Sequence, residues 1–372
     1  MMFSFQTLLV LTYLSGTSFA LPAVQIPLLN DALDPYASPR PRVTFSTDGS
    51  FKLLVFSDLH FGERDRGDEK DAQSVQLMTR ILAEEQPDYV VINGDLLTGD
   101  DTFASNVTAV LDQIFAPLNA ARVPFSSTHG NHDNHLNITH AQEIEYEQAA
   151  APLSYTRASP GVGGQGGEGC YWVPVYKNAD DEAPALVLWF FDSRGGISSS
   201  GEALADWVDE SVAEWIARET EQMNDAWGPS EQRAALAFTH IPPHFALDLQ
   251  ANLNSTLEPG LNEDHMGPHG STQSTPGNDA FISSLAHNVK NLHALVSGHD
   301  HGLEWCKRET TTGVVLCFNK HSGYGGYGQD WWGFGARIFQ FAPDEVTRGV
   351  ETWIRLEDGS VRAKVHLNSQ YE

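Results

Sequence analysis

The sequence predicts an α/β fold, because short apolar runs alternate with segments of helical apolar spacing. Runs typical of buried strands occupy 51–57 and 89–93, and helices are predicted at 71–86, 102–121 and 139–150. This order indicates parallel βαβ units, whose strands end at one shared carboxyl edge. Ligands of open α/β sheets bind beyond that edge, so the residues that directly follow the strands are candidates for a functional site.

A polar motif comes directly after each of five apolar runs, and together these motifs supply a set of metal ligands. The three later runs are 123–128, 235–239 and 293–297. The five motifs, in chain order, are Asp58-Leu59-His60, Gly94-Asp95, Gly130-Asn131-His132-Asp133, His240 and Gly298-His299-Asp300-His301. Such groups can hold two cations about 3.5–4 Å apart, with at least one ligand shared. Asp95 is the natural bridge, because a carboxylate has two oxygens and a full negative charge.

In this order, the motifs resemble those of the calcineurin-like metallophosphoesterase family over about residues 43–345. The resemblance implies a four-layer αββα sandwich. It also implies two metal sites, one formed by Asp58, His60, Asp95 and His301, the other by Asp95, Asn131, His240 and His299. His132 would face the substrate, either as a general acid toward the leaving oxygen or as a group that stabilises the transition state. The alternative for His132 is to orient a metal ligand from behind.

The last motif points to one branch of that family. Together with two later cysteines and the segment 322–328, it is similar to the single-domain branch called purple-acid-phosphatase-like. Purple enzymes place a tyrosine three residues after the bridging aspartate and a glycine where His60 stands, whereas this chain has Thr98 and His60. We therefore expect no iron tyrosinate. The mixed nitrogen and oxygen donors accept Mn, Fe or Zn, so the identity of the two divalent or trivalent ions stays open.

The activity implied by the resemblance is hydrolysis of phosphomonoesters by direct attack of a metal-bound hydroxide. Small phosphate esters are the expected substrates, and a phosphoprotein is a further option. A phosphodiesterase acting on nucleotide or lipid head-group esters is the first alternative, because both reactions use this metal core. A non-catalytic binding protein on the same scaffold is the second, although such proteins usually lose a ligand. The net charge of −27 disfavours a nucleic-acid polymer, and the oligomeric state is not predicted.

The N-terminus predicts export. Residues 1–20 contain an uncharged apolar stretch and end in Ser18-Phe19-Ala20, as a cleaved signal peptide does, whereas a membrane anchor would need a longer apolar run. We expect a secreted protein without stable membrane insertion. Residues 21–42 are Pro-rich and predict an extended arm, and 43–372 can form one catalytic domain around a single core. Three sequons could carry glycans in a secretory pathway: Asn106, Asn137 and Asn254.

The second half of the chain leaves several alternatives open. Strands are predicted at 171–176 and 185–192 after a Gly-rich segment, and we expect a mostly antiparallel half to begin there. The apolar spacing of 201–227 predicts one long amphipathic helix, with Leu204, Trp207 and Val208 on its buried face. Segment 244–278 lacks periodicity and is either a binding loop or disordered.

Two further features concern aromatic residues and cysteines. The stretch 321–335 either walls the site with aromatic rings or forms a tight edge of the core. Cys306 and Cys317 lie symmetrically about Thr311 and Thr312 in a predicted hairpin, so they could form a disulfide. Cys170 would then remain a small buried apolar residue.

Overall fold

Strands and helices alternate through most of the computed structural model, which describes residues 33–36, 40–267, 270–274 and 277–372, with backbone only for 277–279. In these ranges the strands are β1 Val43–Thr44, β2 Phe51–Phe56, β3 Tyr89–Asn93, β4 Phe125–Thr128, β5 Tyr171–Tyr176, β6 Leu186–Phe191, β7 Ala234–Thr239, β8 Leu292–Ser297, β9 Cys306–Arg308, β10 Val315–Phe318, β11 Gly335–Phe341, β12 Gly349–Leu356 and β13 Val361–Asn368. The helices are α1 Gly67–Glu85, α2 Val107–Ala121, α3 His140–Ala150, α4 Ser211–Trp227, α5 Ala246–Ala251 and α6 Gly277–Asn288. The predicted signal peptide and most of the predicted arm lie outside the described residues.

In the described part of the chain, the strands form two sheets. One has the order β13-β12-β11-β2-β3-β4, and the other has the order β1-β5-β6-β7-β8-β10-β9. Strands β2, β3 and β4 are parallel, as are β6, β7, β8 and β10. The expectation of a mostly antiparallel half after residue 160 is therefore wrong for the centre of the second sheet. It holds for the pairs β5 with β6 and β9 with β10, and for β11, β12 and β13 of the first sheet. Helix α4 connects β6 to β7 and helix α6 connects β7 to β8, as parallel strands require. The Gly-rich and aperiodic segments in this half gave no clear helical pattern, so the sequence did not predict these parallel connections.

Alternating residues of the strands explain the layers. Leu53 and Val55 pack between the sheets with Leu188 of β6. Leu54 and Phe56 point the other way and pack with residues of α1 and α2. On the far side of the second sheet, strand residues pack with buried residues of α4 and α6. Because each sheet is apolar on both faces, the chain forms the predicted four-layer αββα sandwich.

The predicted helix at 201–227 begins only at Ser211. Asp209 accepts hydrogen bonds from both the backbone nitrogen and the hydroxyl of Ser211 at 3.1 and 2.7 Å, and it pairs with Arg194 at 3.1 Å. The preceding residues instead follow the loop at 194–198, where Gly195 N donates to Ala205 O at 2.8 Å. The apolar residues at 204–208 thus belong to an irregular segment, not to the buried face of a helix.

The cysteine prediction is confirmed. Cys306 and Cys317 face each other on the antiparallel pair β9 and β10 and form a disulfide with a Cα–Cα distance of 4.1 Å. Cys170 is a buried free thiol. Segment 244–278 contains α5 and the start of α6, with irregular chain over most of the described residues between them. None of the helices in the described ranges combines the length and the apolar character that spanning a bilayer requires.

Candidate metal centre

All five polar motifs lie where the parallel strands of the two sheets end. Asp58, Asp95 and Asn131 follow β2, β3 and β4 of one sheet, whereas His240 and His299 follow β7 and β8 of the other. Hydrogen bonds connect the motifs directly. The backbone nitrogen of His299 donates to Asp58 Oδ1 at 2.8 Å across the two sheets, and that of His132 donates to Asp95 Oδ1 at 2.9 Å. The strand ends of both sheets therefore converge on one place.

The backbone at this place is strained. Asp58, His60, Asp95 and His299 all have positive φ values, of 55°, 48°, 50° and 74°. Residues with a Cβ rarely adopt this left-handed conformation, and they hold it only where the surrounding structure enforces it. Four of the predicted ligands share this conformation, which is frequent at functional sites, so it supports this edge as the candidate site.

The donor atoms form three overlapping groups, each within 4.8 Å: Asp58 with His60 and His301, then His60 with Asp95 and His132, then Asp95 with His240 and His299. Asp95 belongs to two of them. Its Oδ2 lies 3.0 Å from Nε2 of His240 and 3.6 Å from Nε2 of His60. The structure thus brings the predicted histidines and aspartates together, with Asp95 in the middle.

Carbonyl oxygens behind the histidines fix which ring nitrogen faces the site. His240 donates through Nδ1 to Asn93 O at 2.9 Å, His301 through Nδ1 to Tyr327 O at 2.5 Å, and His299 through Nε2 to Gly270 O at 2.6 Å. Because a carbonyl only accepts, each outer nitrogen carries a proton, and the other nitrogen has a lone pair whenever the ring is neutral. The three imidazoles are thereby oriented so that this second nitrogen faces the site, where it can bind a cation.

Among the predicted metal ligands in the described part of the chain, two buried polar atoms lack a hydrogen-bond partner. They are Oδ1 of Asn131 and Nε2 of His240. The Nε2 atoms of His60 and His301, moreover, face each other at 3.2 Å. A buried acceptor without a partner, such as the Asn131 oxygen, costs about 1–3 kcal/mol, and a metal ion would satisfy it together with the ring nitrogens that face the site. The residues present therefore fit metal ions.

The pKa shifts agree with this electrostatic picture. Burial holds the pKa of His60 and of His301 well below the usual value, so both rings are neutral. Burial opposes ionisation of Asp95 as well, but the neighbouring His240 outweighs it and the pKa of Asp95 is well below its usual value. Burial also opposes protonation of His240, yet Asp95 raises its pKa to about 10. In the metal-free protein a proton on His240 would balance Asp95, and a bound cation would displace it.

His132 differs from the predicted ligands in its exposure. Its side chain is 42% exposed, whereas those of Asp58, His60 and Asp95 are at most 4% exposed. The ring packs edge-on against His60, and Nδ1 lies 3.8 Å from Asp100 Oδ1. This side chain is open to a molecule that arrives from solvent.

The aromatic stretch 321–335 contributes both to the site and to the core. Tyr327 stacks on the ring of His301 at 4.0 Å. A Cβ atom on Gly326 would lie 2.6 Å from His301 and 2.7 Å from His60, and its φ of +72° also favours glycine. Farther along, Trp332 is buried. Thr98, at the position of the tyrosine in purple enzymes, lies 3.5 Å from His60 Nδ1.

Sequence reasoning missed His140 and Asp192, which lie behind Asn131, and gave no role to Asp133. His140 donates to the carbonyl of Gly130 at 2.8 Å and to Asp192 at 2.8 Å, and all of its ring is buried. Asp133 accepts from Gly130 N at 2.8 Å and from Leu97 N at 2.9 Å. Asp192 lies 52 residues from His140 and after a strand of the other sheet, so no local pattern connects the two.

Comparison with known proteins agrees with the fold and shows the family. Residues 51–303 match the family model of calcineurin-like phosphoesterases. The chain is similar to "Probable inactive purple acid phosphatase 14" of Arabidopsis thaliana, with 28% identity over 355 residues that cover 86% of this chain and 84% of that protein. It is also similar to phosphatase DCR2 of Saccharomyces cerevisiae, with 28% identity over 337 residues, 85% of this chain and 55% of that protein. A dimetal phosphatase from Danio rerio shares the fold, with a TM-score of 0.52 at 12% identity over 87% of this chain and 99% of that chain.

Proposed function

The chain belongs to the calcineurin-like phosphoesterase family, and from this membership we propose that it is a metal-dependent phosphomonoesterase acting on small phosphate esters. The observation that carries the proposal is the convergence of buried donors around Asp95. The proposed ligands of two metal ions are Asp58, His60, Asp95 and His301 for one ion, and Asp95, Asn131, His240 and His299 for the other. Two cations bound there would neutralise a phosphate and lower the pKa of a water that they share.

The residues of the chain have distinct proposed roles. Asp95 joins the two halves of the centre, because its Oδ2 lies within 3.6 Å of His60 Nε2 and within 3.0 Å of His240 Nε2, and these histidines are proposed ligands of different ions. The side chain of His132 is open to solvent, and its ring is proposed to lie within hydrogen-bond reach of the leaving oxygen of the substrate and to donate a proton to that oxygen. The buried ligands exclude bulk water from the donor atoms, which strengthens every charge interaction inside the centre.

A phosphodiesterase is the nearest alternative, because the same donor set serves both reactions. A non-catalytic binding protein is an alternative of another class, and it is favoured by the designation "probable inactive" that relatives such as the Arabidopsis protein carry. Against it stands the complete donor set of this chain, in which each proposed ligand is present.

The deciding experiment is a side-by-side assay of a simple phosphomonoester and a phosphodiester. The protein is stripped of metal and reloaded separately with Mn, Fe or Zn. We expect the monoester to turn over faster, because a cationic pair of metals favours its dianion. Faster diester turnover would assign the chain to the first alternative. No turnover of either ester by protein that holds both metals would assign it to the second. We also expect no visible charge-transfer band of iron tyrosinate in any of these preparations.

The bridging role of Asp95 is tested by metal analysis. Asp95→Ala should lower the occupancy of both ions, and by more than His301→Ala does, because a shared ligand serves two sites. His301→Ala is the matched comparison, since it removes a ligand proposed for one ion alone. Equal, near-complete occupancy in the wild type and in Asp95→Ala would contradict the bridge.

The role of His132 is tested with two kinds of leaving group. His132→Ala should slow alkyl phosphates more than nitrophenyl phosphate, whose leaving group departs as a stable anion and needs no proton. Equal losses on both substrates would favour electrostatic positioning of the transition state instead.

Export is proposed on the N-terminal sequence alone. Residues 1–20 would be removed, 21–42 would form an arm, and 43–372 would act as one catalytic domain. Protein recovered from the medium should begin at Leu21 when sequenced from its N-terminus. An intact Met1 in protein retained by the cell would contradict export.

A further inference from the structure

Two large apolar side chains project into solvent on loops next to His132. Phe103 is 51% exposed and Leu136 is 52% exposed. Phe103 belongs to the loop between β3 and α2, and Leu136 belongs to the loop between β4 and α3. Single exposed apolar residues are ordinary on protein surfaces, so their placement relative to the metal centre is what matters here.

Hydrogen bonds connect the two loops that carry these side chains. Asn137 Nδ2 donates to Thr102 O at 2.9 Å, so Phe103 and Leu136 each adjoin one end of the same bond. Nearer the metal centre, Gly99 N donates to the carbonyl of His132 at 3.0 Å. A Cβ atom on Gly99 would overlap that carbonyl. The two loops that carry Phe103 and Leu136 are therefore joined to each other beside His132.

Each side chain is held out by its own backbone. Phe103 N donates to Asn106 Oδ1 at 2.8 Å, and Phe103 O accepts from Asn106 N at 2.9 Å. The loop of Leu136 is closed by reciprocal bonds between His135 and Ile138, at 2.8 and 3.2 Å. Because these bonds order the loops without a bound molecule, little conformational entropy would be lost when an apolar group is bound there.

The charges around the pair select against anions. The side chain of Asp100 is 59% exposed beside His132. The guanidinium of Arg64 lies over the ring of Phe103 at 5.9 Å, and its charge is balanced by Asp101 at 3.2 Å. An anionic leaving group would meet the carboxylate of Asp100, whereas an uncharged apolar group would meet the two exposed side chains.

We propose that Phe103 and Leu136 form a leaving-group site, and that the substrates are phosphate monoesters of uncharged apolar alcohols. The inference rests on the proposed function, because His132 marks the side on which the leaving oxygen lies. In the reaction, the ester P–O bond breaks, the oxygen of water forms the new P–O bond, and the alcohol leaves with a proton. The alcohol then extends outward over the two apolar side chains.

The test compares two alkyl phosphates whose alcohols have similar acidity, 2-phenylethyl phosphate and methyl phosphate. We expect kcat/KM to be roughly 10-fold or more higher for the phenylethyl ester, as burial of an aromatic group predicts. In the double variant Phe103→Gln/Leu136→Gln the ratio should fall to near one, chiefly through loss on the phenylethyl ester. Leu257→Gln is the matched control, since Leu257 is 50% exposed elsewhere on the surface and should leave the ratio unchanged.

A binding measurement separates this inference from the proposed function. Calorimetry with 2-phenylethylphosphonate and methylphosphonate reports the same site without turnover. Roughly 10-fold tighter binding of the first compound, lost in the double variant, supports the leaving-group site even in a protein that hydrolyses nothing. Equal affinities overturn it, while turnover of both esters at equal rates overturns it and leaves phosphatase activity standing.

Two other occupants of the apolar pair have recognisable outcomes. The sequons at Asn106 and Asn137 border the pair, so the assays are run before and after deglycosylation. A preference that appears only after glycans are removed would assign the surface to a glycan and contradict the proposal for the secreted protein. Concentration-dependent self-association that the double variant abolishes would assign it to a second copy of the chain.

Discussion

Asn131 and His299, proposed ligands of the same ion, are supported from behind in opposite ways. The loop of Asn131 is held by the buried His140 and Asp192, which connect it to the other sheet. The outer nitrogen of His299 bonds instead to the carbonyl of Gly270, in the irregular segment at the surface. One side of the centre thus depends on an ion pair in the core, and the other depends on hydrogen bonds that compete with water. Substitutions on the buried side should therefore lower the stability of the protein more than substitutions on the exposed side.

The buried pair is electrostatically demanding. Burial alone would lower the pKa of His140, but Asp192 outweighs it and raises that pKa to about 9. For Asp192, burial is likewise outweighed by His140, and its pKa is lowered. His140 is also the first residue of α3, where a cation is unfavourable to the helix dipole. Only the partnership with Asp192 makes this buried charge tolerable.

The largest predicted effect is on that pair. Asp192→Asn should lower the free energy of unfolding by about 3–5 kcal/mol, because it leaves a buried cation without its partner. Urea unfolding monitored by circular dichroism measures this. Glu345→Gln is the matched control, since it breaks the exposed pair with Arg348 and should give no resolvable change. Equal stabilities of wild type and Asp192→Asn would mean that the pair of His140 and Asp192 does not stabilise the loop of Asn131.

The next effect is a dependence on pH. The pKa of His140 is about 9 in the folded protein and about 6.5 in the unfolded chain. Its contribution to stability is therefore fully present below pH 6.5 and is lost as the pH rises through 9, a loss of roughly 3 kcal/mol. In Asp192→Asn this dependence should vanish. Urea unfolding of both proteins, stripped of metal, is measured at about pH 6 and above pH 9. The difference in free energy of unfolding between wild type and Asp192→Asn should be smaller at the higher pH. A difference that is constant or widens would contradict the assignment.

A smaller effect is expected from added volume next to the ligands. A Cβ atom on Gly130 would overlap Asp95 Oδ1 and lie 2.6 Å from the ring of His240. Gly130→Ala should therefore cost about 1–3 kcal/mol of stability, as overpacking does, and should lower metal occupancy. Gly267→Ala is the matched control, because its Cβ atom would meet nothing within 4 Å. Loss of metal in both variants to the same extent would mean that the contact at Gly130 is not the cause.

The same contrast explains what the sequence could predict. Ligands such as Asp58 and Asp95 follow apolar runs directly, so a local pattern locates both the strand and the donor. His140 follows a strand of one sheet and Asp192 follows a strand of the other, so only the packing of the two sheets brings them to 2.8 Å. The predicted helix at 201–227 failed for a related reason. Its first apolar residues have helical spacing, but hydrogen bonds to the loop at 194–198 hold them in another conformation.

The smallest effect should come from the exposed side of the centre. Tyr327 accepts a hydrogen bond from His301 N at 3.1 Å and donates one to Asp264, and its side chain is half exposed. Tyr327→Phe keeps the ring that stacks on His301 but removes both bonds, so it should cost at most about 1 kcal/mol, since water can replace them. The carbonyl of Tyr327, which orients His301, stays in place, and metal occupancy should remain close to that of the wild type. Metal analysis and urea unfolding of the same samples test both statements. A loss as large as that of Asp192→Asn would mean that the surface segment supports the centre as strongly as the buried pair does.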